Sequence, residues 1–332
     1  MRRMLALVLS LGMLYAVHGD PIALKPLTDS EILKIAEFRT DALAETSVVR
    51  DGSVAVVTGV GAAGKVEAQV DLRATRVLRV LVDGEERYAW PGIVVVGHRG
   101  TVKFGPENTI AGFNKAIEHG ADLLEMDVRQ TKDGHLVVMH DANIARTTNG
   151  RGDVALMTLE ELRTFDAGIK FDAAFAGERI STLAEVLAAI KGRALPDIDF
   201  KAGDAQKLVD VVRAAGLLGQ GTLYCGDWKK LREVVTIEPG FIIRPTAQKG
   251  LEGLDAVIEE FDPPLINIDW GNFSEEFVKQ IHLRGKLAFV NTMGKNDNEE
   301  SIERAIDAGA DYVQSDELDV VMRVLRGRGL RN

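Results

Sequence analysis

Hydrophobic residues from Ile93 onward alternate between short apolar runs and helical spacing. The apolar runs end near His98, Asp127, Lys201, Tyr224, Arg244, Trp270, Asn291 and Asp316. The helix-like segments begin near residues 108, 158, 181, 205, 227, 251, 274 and 298. A regular repeat of strand and helix predicts a (β/α)₈ barrel, with a doubly wound open sheet as the alternative.

A further apolar run, 136–139, lies too close to the second strand to be the next strand of the barrel. A parallel crossover needs about a dozen residues or more, and the gap after Asp127 is shorter. Lys132, Asp133 and Gly134 form a turn signal, so the run is expected to fold back as a hairpin. The prediction is a distorted barrel with a β-hairpin extension after strand 2, which returns His140 to the barrel mouth.

The pattern before residue 91 is different and predicts a small α+β appendage. A capping box at Thr28 precedes apolar residues at helical spacing, which predicts an amphipathic helix as far as about Thr46. Residues 53–89 alternate with period two and contain an Asp83-Gly84 turn, as hairpin strands do. We therefore divide the exported chain into an appendage over residues 20–90 and a barrel over residues 91–332.

The glycine motif inside this appendage, residues 59–64, matches the G-x-G-x-x-G pattern of dinucleotide sites. Such a site needs a helix that opens at the motif, so that its amino end faces the pyrophosphate. Here the residues that follow alternate as in a strand. The motif therefore predicts a glycine-rich hairpin loop.

The amino terminus is typical of a secretory signal peptide over residues 1–19. Arg2 and Arg3 precede an apolar run, which ends before the small residue Gly19. An uncleaved anchor is the weaker alternative, because about 20 apolar residues are usually needed to span a bilayer. We expect an exported protein, periplasmic or extracellular, with no stable membrane span after cleavage.

Composition narrows the possible partners. With 332 residues, 46% of them hydrophobic, the chain can bury a substantial core. Cleavage at residue 19 removes two arginines and no acid, so the formal charge changes from −10 to −12. This acidity disfavours nucleic acid as a partner. Cys225 is the single cysteine, so the fold forms without an intrachain disulfide.

Two carboxylates on the second predicted strand are candidates for metal binding. Glu125 and Asp127 are two residues apart, so both face the barrel mouth, and their apolar neighbours indicate burial. A buried acidic pair is costly unless a cation compensates it. On the next strand Asp199 lies nearer the rim than Asp197 and is the better third ligand. Three oxygen ligands suit one hard cation, Mg²⁺ or Ca²⁺, and disfavour zinc.

Two histidines are candidates for proton transfer. His98 and His140 each end an apolar strand close to these carboxylates, and together they can supply the acid and base of a phosphodiester displacement near neutral pH. The remaining histidines are in ordinary positions, at residues 18, 119, 135 and 282.

Fixed positive charge comes from Arg99 and Lys201. The planar fork of the arginine can hold two phosphate oxygens, and the lysine acts as a point charge, although either residue could instead pair with the acids. Glu107 and Asn108 follow Pro106 at a predicted helix start, where Asn108 is a possible cap. Glu107 can equally lie beside the metal.

The motifs that contain these residues resemble those of the glycerophosphodiester phosphodiesterase family. The matching stretches are His98-Arg99-Gly100, Pro106-Glu107-Asn108-Thr109, Glu125-x-Asp127, Thr131 to Gly134, His140-Asp141, Arg146 to Gly150, Asp166 to Gly168 and Gly177 to Leu183. The resemblance covers essentially residues 93–325. This chain differs in having Asp199 where the family usually has glutamate, and in lacking a tryptophan often found on the seventh strand.

The resemblance implies a distorted barrel that hydrolyses small-molecule glycerophosphodiesters to glycerol 3-phosphate and an alcohol with one divalent cation. It makes His98 and His140 the acid–base pair and Arg99 a phosphate contact, with Lys201 as the second. The implied metal ligands are Glu125, Asp127 and Asp199. Glu107 and Asp141 are placed beside this set.

Two other functions are consistent with the same residues. A membrane-acting enzyme, phospholipase D-like or phosphatidylinositol-cleaving, would need an exposed apolar rim, which the segment 171–175 would supply. A non-catalytic secreted binding protein is disfavoured, because every expected catalytic residue type is present.

Overall fold

The structure is a computed structural model that describes residues 43–331, apart from 52–53, 62, 72–75, 90–91 and 248–249. The signal peptide predicted over residues 1–19 lies outside the described residues. So does most of the helix predicted from Thr28 to about Thr46. In the described part of the chain, every helix is too short or too polar to span a bilayer.

The first described segment is a five-stranded antiparallel sheet whose strands follow one another in sequence order. They are β1 (Ala44–Asp51), β2 (Val54–Gly61), β3 (Gly64–Asp71), β4 (Arg76–Val82) and β5 (Glu85–Ala89). One face is buried through small and β-branched residues, Ala55, Val57, Val66, Ala68, Val70 and Val80. The alternating pattern over residues 53–89 predicted β2 to β5 correctly, and β1 lies outside that pattern.

Two details of this sheet bear on the sequence predictions. Gly61 pairs with Gly64 across β2 and β3, which confirms that the glycine motif is a hairpin and not a dinucleotide loop. The helix predicted as far as Thr46 is wrong at its end, because strand β1 begins at Ala44. Thr46 and Val48 are β-branched and fit a pleated strand better than a helix.

The second sheet has nine strands, eight of them parallel. In chain order they are β6 (Val94–Gly97), β7 (Leu123–Gln130), β8 (Leu136–Val138), β9 (Leu195–Phe200), β10 (Thr222–Tyr224), β11 (Ile242–Ile243), β12 (Leu265–Asp269), β13 (Leu287–Asn291) and β14 (Tyr312–Ser315). Strand β6 lies between β7 and β14, and a parallel bridge between Thr246 and Asn267 links the two outer strands. The sheet is therefore a nearly closed barrel, which excludes the doubly wound alternative.

Helices follow the strands at close to the predicted positions. They are α1 (Ile110–Glu118), α2 (Leu159–Leu162), α3 (Leu183–Ile190), α4 (Ala205–Ala215), α5 (Trp228–Ile237), α6 (Gly250–Phe261), α7 (Glu275–Leu283), α8 (Glu299–Asp307) and α9 (Leu318–Gly327). The cap of α1 is Thr109, whose hydroxyl accepts from the Gly112 N–H at 3.0 Å. Asn108 is therefore not the cap, and its left-handed backbone, with φ of 57°, differs from the extended cap conformation.

The hairpin predicted after the second barrel strand is present. Strand β8 pairs antiparallel with β7, from Val128 opposite Val138 to Gln130 opposite Leu136. The Thr131 N–H donates to the His135 carbonyl at 2.9 Å and closes the turn. After β8 the Arg129 side chain donates to the carbonyl of His140 at 2.8 Å, which holds that residue at the end of the hairpin.

The barrel interior contains a buried ion pair next to a cluster of apolar side chains that includes Phe289. Arg244 donates from Nε and Nη2 to the two oxygens of Asp197, both at 2.7 Å. Its guanidinium also lies 4.2 Å from the centre of the Phe289 ring. Burial by itself lowers the pKa of Arg244, but the charge and hydrogen bonds of Asp197, together with the charges of Asp199 and Glu125, outweigh it and raise the pKa. The fit satisfies both charges, which is the condition for burying a pair.

Breaking this ion pair from one side is expected to be costly. Asp197→Leu leaves Arg244 buried without a counterion, and such changes cost about 3–5 kcal/mol of the free energy of unfolding. Urea denaturation measures the loss. Arg213→Ala, which breaks the exposed pair with Glu238, is the control and should cost about 0–1 kcal/mol. Equal effects of the two substitutions would contradict the role assigned to the buried pair.

Candidate active site

Three carboxylates converge at the carboxyl ends of β7 and β9. Ligand oxygens of Glu125, Asp127 and Asp199 all lie within 4.8 Å of one another. Strand pairing places Asp127 opposite Asp199, and the alternation of β7 places Glu125 on the same face. All three residues are buried. Burial raises the pKa of Glu125 well above its usual range, and the charges of Asp127 and Asp199 add to this effect.

One lysine partly compensates this negative charge. Lys201 Nζ lies 2.5 Å from Asp199 Oδ2 and 3.1 Å from Asp127 Oδ1. Burial favours the neutral amine, but the charges of Asp199 and Asp127 outweigh this effect and raise the pKa of Lys201. Asp197, the carboxylate further from the rim on the same strand, bonds Arg244. The structure thus brings together the three predicted ligands and the predicted lysine.

The loop after β6 contacts the same carboxylates through an unusual backbone. Arg99 has a φ of 52°, in the left-handed region that non-glycine residues rarely adopt. In this conformation its N–H donates to Glu125 Oε2 at 2.6 Å. Its Nε lies 3.7 Å from Asp127 Oδ2, so the guanidinium borders the acidic cluster. Strained backbone of this kind is concentrated at functional sites.

Asn108 is a part of the site that the sequence analysis missed. Its Nδ2 donates to Asp127 Oδ2 at 2.7 Å, and its Oδ1 accepts from the Asp127 N–H at 3.1 Å. The side chain therefore holds Asp127 at both its backbone and its carboxylate. The position before a helix drew attention to Asn108 only as a cap, whereas the pairing with β7 depends on the tertiary fold.

Each candidate histidine is paired with a carboxylate. His98 Nδ1 lies 2.7 Å from Asp316 Oδ1, and His140 Nδ1 lies 2.6 Å from Asp141 Oδ1. When a carboxylate accepts from Nδ1–H, the Nε2 of the neutral ring is free of a proton. Both side chains are therefore oriented for proton transfer through Nε2. Asp316 is not among the predicted site residues, although it directly follows β14.

A second aspartate fixes the loop that carries Asp316. Asp297 accepts from the hydroxyls of Ser315 at 2.6 Å and Thr292 at 2.9 Å, and from the backbone N–H of Asp316. Burial raises the pKa of Asp297. This contact joins the carboxyl ends of β13 and β14 next to His98.

An arginine links the two histidine loops. Arg146 donates to both oxygens of Glu107, at 2.6 and 2.8 Å, and to Asp141 Oδ2 at 2.6 Å. Glu107 also accepts from Arg99 Nη1 at 3.0 Å. The hydrogen bond and charge of Arg146 lower the pKa of Asp141 to about 2. Glu107 and Asp141 therefore lie beside the carboxylate cluster and connect the loop after β6 to His140.

The other described histidines have partners away from this cluster. His119 stacks on Phe104 with ring centres 3.7 Å apart. His135 lies 3.3 Å from Asp133 in the hairpin turn, and His282 lies 2.9 Å from Asp311. These contacts agree with the ordinary roles expected for them.

Oxygen ligands and paired histidines at the mouth of a parallel barrel indicate a phosphodiesterase of the TIM-barrel class. Residues 98–218 match the model of the Glycerophosphoryl diester phosphodiesterase family. A glycerophosphodiester phosphodiesterase of Caldanaerobacter subterraneus is 37% identical over 243 residues, which cover 71% of this chain and 99% of the relative. The chain belongs to this family.

Other relatives agree with this membership. The glycerophosphodiester phosphodiesterase of Bacillus subtilis is 31% identical over 261 residues, 71% of this chain and 87% of the relative. A crystal structure of the enzyme from Agrobacterium tumefaciens has a TM-score of 0.63 and 29% identity, and the match covers 70% of this chain and all of that one.

An Oleispira antarctica phosphodiesterase, solved in complex with the product sn-glycerol-3-phosphate, also has a TM-score of 0.63. It is 24% identical to this chain, and the match covers 70% of this chain and 96% of that one. This likeness supports the barrel fold.

Removing the Asn108 side chain tests its hold on Asp127. Asn108→Ala leaves the buried Asp127 N–H without its acceptor, which should lower the free energy of unfolding by about 1–3 kcal/mol in urea denaturation. Asn108→Gly tolerates the positive φ, so the difference between the two variants reports the backbone strain. If both variants were as stable as the wild type, Asn108 would have no positioning role.

Proposed function

We propose that this chain hydrolyses glycerophosphodiesters to glycerol 3-phosphate and an alcohol, with one divalent cation and with His98 and His140 as its acid–base pair. The observation that carries the proposal is the convergence of three buried carboxylates in a barrel mouth flanked by two carboxylate-paired histidines. Family membership and the names of the relatives support the same reaction.

The residues present fit a hard divalent cation. The donors are three carboxylate groups, which suit Mg²⁺ or Ca²⁺ better than a soft metal. Glu125, Asp127 and Asp199 would hold the ion. When bound, it would polarise a phosphate oxygen and offset the charge that develops in the transition state.

Arg99 and Lys201 are the residues that we assign to the phosphate. Arg99 Nε is buried and has no hydrogen-bond partner among the described residues, so this donor is available to an anionic oxygen. Glu107 holds the other end of the same guanidinium at Nη1. Lys201 carries a positive charge next to Asp127 and Asp199, and its ammonium group would contact a phosphate oxygen held at these carboxylates.

The two histidines divide the proton transfers. One accepts a proton at Nε2 from the nucleophile, and the other donates a proton from Nε2 to the leaving alkoxide. Asp316 and Asp141 keep the rings oriented by binding Nδ1. The nucleophile is water or the neighbouring hydroxyl of the substrate, and a cyclic phosphate among the products would identify the hydroxyl.

We further propose that the protein is exported to the periplasm or the extracellular space, with residues 1–19 as the signal peptide. The support is the basic start followed by an apolar run that is too short for an ordinary span. In the same proposal residues 91–332 form the catalytic barrel and residues 20–90 the appendage.

Substitution of each histidine tests the assignment of the acid–base pair. His98→Ala and His140→Ala should each lower kcat on glycerophosphoethanolamine and glycerophosphocholine by about 10²–10⁴-fold, the usual contribution of general acid–base catalysis. His135→Ala, in the exposed hairpin turn, should leave kcat unchanged. Undiminished activity in both active-site variants would sink the assignment.

Metal removal tests the carboxylate cluster. A chelator should abolish activity, and Mg²⁺ or Ca²⁺ should restore it and raise the Tm of the wild type, since the ion binds the folded state. Glu125→Gln removes one ligand charge and should raise the cation concentration for half-maximal activity by more than about 10-fold, the loss that even an outer partner can cause.

Asp210→Asn, on the exposed surface of α4, is the control for the loss of one carboxylate. It should leave the cation requirement of the wild type unchanged. Full activity in chelator would contradict the metal assignment.

A second candidate, cleavage of intact phospholipid at a membrane, has one supporting observation. The insertion between β8 and β9 exposes Leu156, Ile169 and Phe171, and the Phe171 ring packs edge-on against Phe175. Phosphatidylcholine vesicles assayed beside glycerophosphocholine distinguish the two substrates.

A further inference from the structure

The half of the barrel mouth opposite the acidic cluster carries polar side chains that the proposed reaction does not use. In the order of strands around the barrel, β12 lies across from β7, and β13 lies across from β9. Strand alternation puts Asp269 on the face of β12 that includes Leu265, and Asn291 on the face of β13 that includes Phe289. Leu265 and Phe289 belong to the interior cluster, so Asp269 and Asn291 face the mouth.

On the β12 and β13 side of the mouth, the side-chain amide N–H groups already donate hydrogen bonds within the protein, and unpaired acceptor atoms remain. Asn291 Nδ2 donates to Asp269 Oδ1 at 3.0 Å and to Asn267 Oδ1 at 3.2 Å. Asn267 Nδ2 in turn donates to the Thr246 hydroxyl at 2.8 Å. Asn267 Nδ2 also lies 3.4 Å from Asp269 Oδ1, so the acceptors left for a ligand are Asp269 Oδ2 and the amide oxygen of Asn291.

The amide oxygen of Asn291 lacks a hydrogen-bond donor among the described residues. Asn291 is 7% exposed, and its Oδ1 is buried without a hydrogen-bond partner among the described residues. Buried polar atoms in native proteins are nearly always paired, so an orphaned acceptor beside a site points to a missing donor. This observation is independent of the acidic residue next to it.

Asp269 adds charge to the same place. The residue is exposed to the mouth, and within the described ranges no lysine, arginine or histidine forms an ion pair with it. An uncompensated carboxylate beside an unpaired amide oxygen favours a ligand group that is both cationic and a hydrogen-bond donor. A primary ammonium has both properties, a hydroxyl lacks the charge, and a quaternary ammonium lacks the N–H.

We propose that Asp269 and Asn291 form a subsite for the leaving alcohol of the substrate and select alcohols that carry a primary ammonium group. The inference rests on the proposed function, since the phosphate must lie at Arg99, Lys201 and the acidic cluster for the alcohol to reach the opposite wall. Asp269 attracts the charge, and Asn291 Oδ1 accepts one N–H. The two residues thus determine specificity and take no part in the proton transfers.

Three substrates separate charge from hydrogen bonding. Glycerophosphoethanolamine has both properties, glycerophosphocholine has the charge alone, and glycerophosphoglycerol has the donors alone. Wild-type kcat/KM should be highest for glycerophosphoethanolamine. Asp269→Asn should lower kcat/KM by about 10-fold for the two cationic substrates and spare glycerophosphoglycerol, because it removes the attraction between the carboxylate and the ligand cation. Asn291→Leu should impair the two donor-bearing substrates more than glycerophosphocholine, for which only the hydrogen bond that holds Asp269 is lost.

Controls keep the outcomes distinct. Asp255 lies on α6 and forms an exposed ion pair with Arg284. Asp255→Asn should leave kcat/KM unchanged for all three substrates. Thermal unfolding checks that each variant folds, and Asp269→Asn, at an exposed position, is the variant that tests the charge if Asn291→Leu unfolds. A uniform loss on all three substrates, or no loss, would overturn the subsite. A wild type that cleaves none of the three would refute the proposed function itself.

Discussion

Repulsion among three buried carboxylates is the constraint around which the barrel mouth is built. Glu125, Asp127 and Asp199 would not share one buried pocket without nearby positive charge and hydrogen-bond donors. The surrounding chain supplies both, through the ammonium group of Lys201 and the backbone N–H of Arg99. The left-handed conformation of Arg99 follows from the same need, because it directs that N–H at Glu125.

The residues that position this site lie well outside the three carboxylates. Arg146 comes from the insertion between β8 and β9, yet it holds Glu107 and Asp141, which in turn position Arg99 and His140. On the other side Asp297 holds the loop of Asp316, which positions His98. Each histidine is thus fixed by contacts from a different part of the chain. Preorganisation of this kind lowers the cost of reaching the transition state.

Local patterns predicted the elements of this protein but not its tertiary partners. The apolar runs ended where the barrel strands end, and the minimum length of a parallel crossover identified β8 as a hairpin strand. His98 pairs with Asp316, 218 residues away, and no spacing rule connects such positions. The sequence shows only the neighbours of Asn108 and makes it a possible cap, whereas its partner in the structure is Asp127 on β7. The helix expected as far as Thr46 failed because pairing with β2 outweighed local periodicity.

The barrel is closed unevenly around its circumference. Strands β7 and β9 pair continuously from Leu123 to Val128, while β11 is only Ile242–Ile243 and meets β12 through the bridge from Thr246 to Asn267. Backbone segments with few hydrogen bonds open at the lowest free energy. Amide hydrogens at this seam will therefore exchange with solvent through local opening, whereas those of β7 require a larger unfolding event. The seam between β11 and β12 is therefore the part of the barrel that opens most readily, whereas β12 itself stays paired with β13 from Leu265 to Asp269.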